Sequence, residues 1–295
     1  MRWLDRCLVS LLQTDYPNFI PLFVDNGSND GSIEFVRKHF ASVEILENGQ
    51  NLGFAEGNNR GIRLALKRSA DYIVLLNNDM RFDPNWCRAL IDVAQSNPSW
   101  GALGAFHRDY NDSRQWERGF AELMGRDPSF KQGLITGNLN PIYQTNWVIG
   151  AAILLRVDVI KKVGMLDPHY FMYGEENDLC RRIRFHGWKI AYVRDAIVYH
   201  HGGFLSEDKQ RERLIWQLRS TMIYYLKDPF CLSARGFWRS LRTALSAKRI
   251  TKGELSLYEV IRCWIEVVLM SRSLLKRRYL EMFSPQDLPE LKRIF

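Results

Sequence analysis

The 295-residue sequence has few cysteines and no long apolar run. Its five cysteines are an odd number without a CxxC pair, so we predict neither a disulfide framework nor a zinc site, and expect a reducing compartment. The most apolar helical stretch, residues 255–275, holds four charged side chains, whereas a membrane-spanning helix needs about 20 apolar residues. Charges among the first six residues argue against a signal peptide. We therefore expect a cytoplasmic location.

Charge is unevenly distributed along the chain. Residues 1–204 carry 23 basic and 23 acidic side chains, whereas residues 205–295 carry 18 and 10, so the net charge of +8 belongs to the last part. Two interpretations stay open for this basic tail. It lies peripherally on an anionic membrane, at the inner face of the plasma membrane, or it packs on the rest of the chain with its charges in solvent. No nucleic-acid-binding motif accompanies the charge, so we expect no nucleic-acid partner.

Strand and helix patterns alternate in the first half of the chain. Short apolar runs predict buried strands at 20–25, 43–46, 71–79 and 102–106. Amphipathic stretches between them predict helices, and this alternation indicates an α/β fold with a mostly parallel sheet. Residues 107–145 show no clear period and are predicted to be a long connection. Beyond residue 206 the pattern predicts three helices, at about 207–226, 233–247 and 254–280, and we divide the chain into domains 1–226 and 227–295.

Two aspartates follow predicted buried strands. Asp25 begins the turn cluster Asn26–Ser32, and Asp79 ends the run Asn77-Asn78-Asp79. Ligands of open α/β sheets bind at the carboxyl ends of strands, so we expect both aspartates in one crevice. A carboxylate there can hold Mg²⁺ or Mn²⁺ against a diphosphate, because these cations prefer oxygen ligands. Ordinary turn or helix-cap roles are the alternative.

A histidine pair, His200-His201, follows the predicted strand 196–199. An imidazole at a strand end can complete a metal site with a carboxylate. Neighbouring residues of a strand point to opposite faces, so only one of the two should face the site. A purely structural histidine is the alternative.

Three carboxylates, Glu175, Glu176 and Asp178, lie within four residues behind an aromatic stretch and a glycine. Crowded like charges raise one another's pKa, which suits a site that must take a proton from an alcohol. The alternative is an acidic first turn, since a helix N-terminus stabilises acids.

Together these segments resemble a family 2 glycosyltransferase of the GT-A fold, closest to the bacterial rhamnosyltransferase-like branch that builds cell-surface polysaccharides. The resemblance implies a Rossmann-like sheet with a helical C-terminal extension. It also implies inverting transfer of a sugar, rhamnose-like or galactofuranose-like, from a nucleotide-diphosphate donor to a polysaccharide or lipid-linked glycan acceptor. It rests on six segments in the family's order: Phe23–Ser32, Asn51–Gly61, Leu75–Asp79, Val148–Ala152, Phe171–Arg182 and Tyr199–Gly203.

The resemblance also implies roles for single residues. Asp79 would hold Mg²⁺ or Mn²⁺, with His200 as second metal contact or His201 in its place. Glu176 would be the catalytic base, with Glu175 as second choice, and Asp178 would brace the helix or bind substrate. Asp25 would contact the nucleobase, and Gly150 and Ala151 would line the space for the sugar and the acceptor. The nucleoside pocket would be shaped by Ser28, Asp30 and residues of the next loop, namely Asn51, Gly53, Phe54, Asn58 and Asn59. Asn26 and Asn78 would also bind substrate.

One part of the family pattern is missing from this sequence. The family usually begins with an apolar strand ending in Thr/Asn-Tyr-Asn, directly before the helix that here starts near Trp3. That strand is normally central, so we expect a sheet edge without its usual neighbour. The alternative function is therefore a catalytically impaired sugar-nucleotide-binding or assembly protein.

Overall fold

The computed structural model describes four stretches of the chain: residues 2–202, 207–230, 233–247 and 254–282. The chain forms two compact units. Unit 1 comprises Met1–Leu52, Gly57–Ile160 and Trp188–Gly203. Unit 2 comprises Gly53–Glu56, Lys161–Gly187 and Phe204–Phe295. These units are defined by contacts within the structure and do not test the domain boundary predicted between residues 226 and 227, which stays a prediction.

The first part of the chain alternates strands and helices as expected. Its strands are β1 Leu22–Asp25, β2 Glu44–Glu47, β3 Tyr72–Leu76, β4 Met80–Phe82, β5 Trp100–Asp109, β6 Ile142–Thr145, β7 Ala152–Arg156 and β8 Lys189–His200. Its helices are α1 Leu4–Leu12, α2 Ser32–His39, α3 Gly53–Lys67, α4 Trp86–Ser96, α5 Arg118–Met124, α6 Pro128–Thr136 and α7 Val157–Val163. The α/β class predicted from the sequence is confirmed.

The main sheet has the strand order β3-β7-β5-β8-β4, with β6 also pairing with β8. Strands β3, β5 and β8 run in one direction, and β4, β6 and β7 run against them. Strands β1 and β2 form a separate parallel pair. Within the described residues, β1 pairs only with β2, and β3 pairs only with β7. Both strands thus have an edge without a described neighbour, as expected.

Helix α4 shows how the core of unit 1 is built. Its buried residues recur at helical spacing, at Trp86, Leu90 and Ala94, and they pack against the sheet. Burying a leucine-sized side chain contributes about 1.5–3 kcal/mol. Trp86 also donates its indole N–H to Thr14 Oγ1 at 2.9 Å, so its one polar atom is satisfied. The helix thereby fixes one face of the sheet whose strand ends carry the candidate site.

Residues 107–145 are structured, and the predicted long connection is wrong. Strand β5 continues to Asp109, and α5, α6 and β6 follow. Helix α5 is capped by Glu117, whose side chain accepts from two backbone N–H groups. Helix α6 is capped by Asp127, with Pro128 at its start. The elements are too short to show a period, and an aromatic cluster holds them together: Phe106, Trp116, Phe120, Phe130 and Tyr143.

Unit 2 is mainly helical. Its helices are α8 Glu175–Phe185, α9 Glu207–Leu226, α10 Ser233–Leu245, α11 Leu257–Leu269 and α12 Ser271–Met282. The single helix expected over 254–280 is two helices that meet at Met270, the first beginning with a capping box between Ser256 and Glu259. No helix in the described stretches is long and apolar enough to cross a membrane.

Candidate active site

The first candidate region is the turn after β1, in unit 1. Asp25 is 2% exposed, and its Oδ2 accepts from the backbone N–H of Gly27 at 2.9 Å and of Ser28 at 3.1 Å. Gly27 has φ +81°, and a Cβ there would lie 2.7 Å from the backbone of Gln50. Only glycine fits this turn. The carboxylate therefore shapes the loop, and its predicted contact with a nucleobase stays a prediction.

Asn26 ties this turn to the next loop of the chain. Its Oδ1 accepts from Asn48 Nδ2 at 3.2 Å and from the backbone N–H of Leu52 at 3.1 Å. Its Nδ2 donates to Asn51 Oδ1 at 3.0 Å. The structure thus brings together two loops that the sequence assigned to one nucleoside pocket.

The other residues predicted for that pocket lie at the start of helix α2 or in helix α3. Asp30 is exposed and caps the start of α2 by accepting from the Ser32 N–H at 3.1 Å. Asn58 and Asn59 lie in α3, with Asn59 buried. Gly53 and Phe54 belong to unit 2, where the Phe54 N–H donates to the Phe171 carbonyl at 2.7 Å.

Asp79 lies just beyond the carboxyl end of β3 and is half-buried, while Asn78 beside it is exposed. The N–H of Asn77 donates to the Ala151 carbonyl at 2.9 Å. This bond continues the antiparallel pairing of β3 with β7. Gly150 and Ala151, predicted for the sugar and acceptor space, therefore lie beside the strand end that carries Asp79.

His200 ends β8, and its Nε2 lies 3.4 Å from Asp79 Oδ1. Burial opposes ionisation of Asp79, but the hydrogen bond and charge of His200 outweigh it, so the pKa of Asp79 lies below its usual value. His201 faces elsewhere, as strand alternation requires: its ring lies 4.1 Å from the ring of Trp3. The carboxylate oxygen of Asp79 and the imidazole nitrogen of His200 are both atom types that bind divalent metal ions.

The paired glutamates begin α8 in unit 2. Tyr173 and Gly174 before them have φ +68° and +88°, left-handed conformations that cost a non-glycine residue about 1–3 kcal/mol. Glu175 is 4% exposed, and its Oε2 has no hydrogen-bond partner among the described residues. Burial, and then the charge of Glu176, raises the pKa of Glu175 well above its usual value. Burial raises the pKa of Glu176 too.

Asp178 is part of a buried ionic network. It is fully buried and accepts from Arg181 at 2.8 Å, Arg182 at 2.9 Å and Lys227 at 3.2 Å. Lys227 also contacts the buried Asp167. Two roles were left open for Asp178, bracing the helix or binding substrate. Its buried position supports bracing, because both carboxylate oxygens face cations and the side chain does not reach the surface.

Two residues near His200 were not singled out in the sequence. His107 in β5 is completely buried, and burial followed by the charge of His200 lowers its pKa well below the usual value. Glu117 caps α5. One donor atom from each of His107, Glu117 and His200 lies within 4.8 Å of the others. No spacing signals this cluster, because its members come from three elements up to 93 positions apart.

Comparisons with known sequences identify the family of the chain. The family model "Glycosyl transferase family 2" matches residues 2–164. N-acetylglucosaminyl-diphospho-decaprenol L-rhamnosyltransferase of Mycobacterium tuberculosis is 30% identical over 285 residues, covering 88% of this chain and 90% of that protein. Rhamnosyltransferase WbbL of Escherichia coli K12 is 25% identical over 213 residues, covering 68% of this chain and 80% of that protein.

Solved structures show the same fold. The mannosyltransferase PcManGT of Pyrobaculum calidifontis, solved with GDP-Man and Mn²⁺, superposes with a TM-score of 0.56 at 12% identity, covering 95% of this chain and 81% of that one. At this identity the likeness concerns the fold alone, and it confirms the GT-A architecture expected from the motifs.

Proposed function

The chain belongs to glycosyl transferase family 2, and we propose that it moves a rhamnose-like or galactofuranose-like sugar from a nucleotide-diphosphate donor to a hydroxyl of a polysaccharide or lipid-linked glycan precursor. The rhamnosyltransferase names of its relatives support the sugar and acceptor classes. The paired glutamates with raised pKa values are the observation that carries the chemistry, because a transferase of this kind needs a base for the acceptor hydroxyl.

In this proposal unit 1 binds the donor. The hydrogen-bonded loops around Asn26 and Asn51 shape the nucleoside pocket. Asp79 holds a divalent cation, Mg²⁺ or Mn²⁺, which would neutralise charge on the diphosphate leaving group. The assignment of His200 to the same cation is a prediction from the resemblance, supported by its 3.4 Å distance from Asp79.

Glu176 is the proposed base. It is half-buried and so open to an acceptor, whereas Glu175 is 4% exposed. Its raised pKa makes it a stronger proton acceptor than an ordinary glutamate. The acceptor oxygen loses its proton to Glu176 and forms a bond to the anomeric carbon, while the bond from that carbon to the diphosphate oxygen breaks. One displacement inverts the configuration.

The experiment is a transfer assay with the full chain, Mn²⁺ and a panel of nucleotide-diphosphate sugars that includes a rhamnose donor. Transfer to a lipid-diphosphate-linked glycan acceptor, followed by mass spectrometry, supports the proposal. If the chain binds a donor but transfers no sugar with any combination of donor and acceptor, the result would favour the alternative, a sugar-nucleotide-binding or assembly protein.

We further propose that unit 2 meets the lipid surface where such an acceptor lies. Helices α10 and α11 expose large apolar side chains, namely Trp238, Leu245, Leu257, Tyr258 and Leu269. Of these, Leu245 and Leu257 line an apolar groove of about 480 Å³. Exposed cations also lie on the helices of this region, among them Arg235 and Arg242 on α10 and Lys276 on α12. The basic run at residues 276–278 is only partly exposed, since Arg277 pairs with Asp167 and Arg278 is buried.

Vesicle co-sedimentation tests this contact. Exchanging Leu257 or Leu269 for Ser should weaken binding by about 10-fold each, because a buried leucine contributes at least 1.5 kcal/mol. Ile20→Ser, at an exposed isoleucine of unit 1, is the matched control and should change nothing. Equal binding of the protein to neutral and anionic vesicles would show that its basic charge does not contribute to the lipid contact. Binding by both leucine variants at the wild-type level would show that the exposed apolar side chains do not contribute.

A further inference from the structure

Strands β4, β8 and β5 carry a row of three half-buried side chains on one face of the sheet. Arg81 of β4 lies opposite Tyr199 of β8, and Tyr199 lies opposite Arg108 of β5. Residues directly opposite one another on neighbouring strands share a face. The tyrosine therefore lies between two cations whose Cα atoms are about 10 Å apart, given a strand spacing of about 4.8 Å.

Aromatic rings hold both guanidinium groups of this row. The guanidinium carbon of Arg81 lies 4.8 Å from the ring centre of Tyr110 and 4.8 Å from that of Tyr199. The guanidinium carbon of Arg108 lies 3.5 Å from the ring centre of Trp116. Such contacts engage the flat face of a guanidinium and leave the N–H groups at its edge for hydrogen bonds. Both cations are thus oriented before any ligand arrives.

Neither arginine has a carboxylate as counter-charge among the described residues. Instead, Arg81 donates to the Tyr110 carbonyl at 3.0 Å, and Arg108 donates to the Arg114 carbonyl at 3.2 Å. The Nε of Arg81 is buried and has no hydrogen-bond partner in the described stretches. Burial lowers the pKa of Arg108, and the nearby Tyr199 opposes this effect. An anion beside these groups would stabilise their charged form.

The acidic side chains closest in sequence to the two arginines are engaged elsewhere. Asp83 and Asp109 each accept from a backbone N–H group two residues further on, at 3.1 Å and 2.8 Å. Asp112 pairs with the exposed Arg114 at 2.9 Å. These carboxylates close local turns, so the positive charge of the row is left for a ligand.

We propose that the row of Arg81, Tyr199 and Arg108 is an anion site that binds the diphosphate group of the acceptor. A guanidinium donates two parallel hydrogen bonds to phosphate oxygens, which gives strong and oriented binding. A diphosphate carries anionic oxygens on two phosphorus atoms, so it can engage cations on both sides of Tyr199, whereas a carboxylate offers two oxygens on one carbon. The assignment to the acceptor rests on the proposed function, in which the acceptor is a lipid-linked glycan precursor.

The proposed anion site and the proposed metal site use different residues of the same strands. Arg81 lies two positions after Asp79, and Tyr199 directly precedes His200. Asp79 and His200 keep their roles toward the cation of the donor, so the donor diphosphate is held through a metal and the acceptor diphosphate through arginines. An acceptor held in this way is recognised by the charged group that carries its sugar, and a free sugar should be a poor acceptor.

The first test measures calorimetrically how inorganic pyrophosphate binds to the full chain with a chelator present, so that no divalent cation can hold the anion at Asp79. We expect one pyrophosphate bound per chain. Arg81→Gln and Arg108→Gln should each weaken binding by about 10- to 100-fold, the effect of losing a charge-assisted hydrogen bond. Arg118→Gln, at an exposed arginine of α5, is the matched control and should bind pyrophosphate as tightly as wild type.

A second measurement separates the acceptor from the donor as the source of the diphosphate. With the donor site filled by UDP and Mn²⁺, geranyl diphosphate, a short lipid diphosphate, should still bind once per chain, and Arg81→Gln should weaken it as it weakens pyrophosphate. In the transfer assay, Arg81→Gln should raise the KM of the acceptor about 10-fold or more and leave the KM of the donor near the wild-type value. Circular dichroism of the variants checks their folding.

Three results would overturn the proposal. They are a wild type that binds no stoichiometric pyrophosphate, Arg81→Gln and Arg108→Gln variants that bind as tightly as Arg118→Gln, and exclusion of geranyl diphosphate by UDP with Mn²⁺. The last would mean that the arginines serve the diphosphate of the donor. The binding measurements do not depend on sugar transfer, so the proposed function is judged separately.

Discussion

Asp178 offers the sharpest test of how buried charges in unit 2 hold helix α8 in place. The change Asp178→Asn keeps the size of the side chain and removes one negative charge. That charge faces Arg181 and Arg182 on its own helix and Lys227 just beyond α9. All three cations are nearly fully buried, so water cannot compensate them.

The magnitude follows from this burial. Removing one partner of a buried ion pair costs about 3–5 kcal/mol, because the cations that faced it stay desolvated without its negative charge. That is a large part of the about 5–15 kcal/mol by which a domain is stable. The pKa of Asp178 is held far below its usual value, with burial opposing and Lys227 and the arginines lowering it. The stabilisation of the folded state by ionised Asp178 is therefore fully present at pH values above the pKa of Asp178 in the unfolded chain, about 3.8. It is lost only as the pH falls toward the lower pKa of Asp178 in the folded chain.

Urea unfolding at pH 7 and pH 5 measures this effect. We expect the same loss of about 3–5 kcal/mol at both pH values, since both lie above the unfolded pKa. Asp195→Asn is the control, because Asp195 pairs with Arg194 at the surface, where a pair contributes about 0–1 kcal/mol. An Asp178→Asn protein no less stable than the Asp195→Asn protein would refute the argument from burial.

Two further predictions concern the base and the backbone near it. The rate of sugar transfer should rise with pH through an inflection above 4.5, the ordinary value for a glutamate, because Glu176 acts unprotonated and its pKa is raised by burial; a pH–rate profile flat from pH 4 to 8 would contradict this. Gly53→Ala should lower thermal stability more than Gly49→Ala. Both glycines have φ near +75°, but a Cβ at Gly53 would lie 2.5 Å from the Phe171 carbonyl oxygen, whereas none lies within 4 Å at Gly49. Equal melting temperatures for the two variants would show that the contact with Phe171 does not matter.

Much of the fold could be predicted because its signals are local. The apolar run before Asp79 and the glycine-rich turn after Asp25 mark strand ends without any tertiary information. The acidic start of α8 was visible for the same reason. The burial of Asp178 could not be predicted in this way, since it depends on Lys227, which lies 49 positions away in the chain.

The segment after β5 shows where local signals fail. Helices α5 and α6 have 7 and 9 residues, too few for an amphipathic period to emerge. The sequence Asp127-Pro128 does carry a cap followed by a helix-starting proline, and it could have located α6. No local signal places Glu117 near His107 and His200, because the neighbouring strands β5 and β8 bring the three residues together.

The most direct test of the central claim is single-turnover transfer by Glu176→Gln beside wild type, with donor affinity measured on the same samples. The amide keeps the size of the side chain but cannot take a proton, so transfer should fall by about 10²–10⁴-fold, while donor affinity with Mn²⁺ stays within a factor of about two. The Glu175→Gln variant should lose far less of its transfer rate, because the buried Glu175 side chain is not open to an acceptor. Transfer by Glu176→Gln at the wild-type rate would contradict the account.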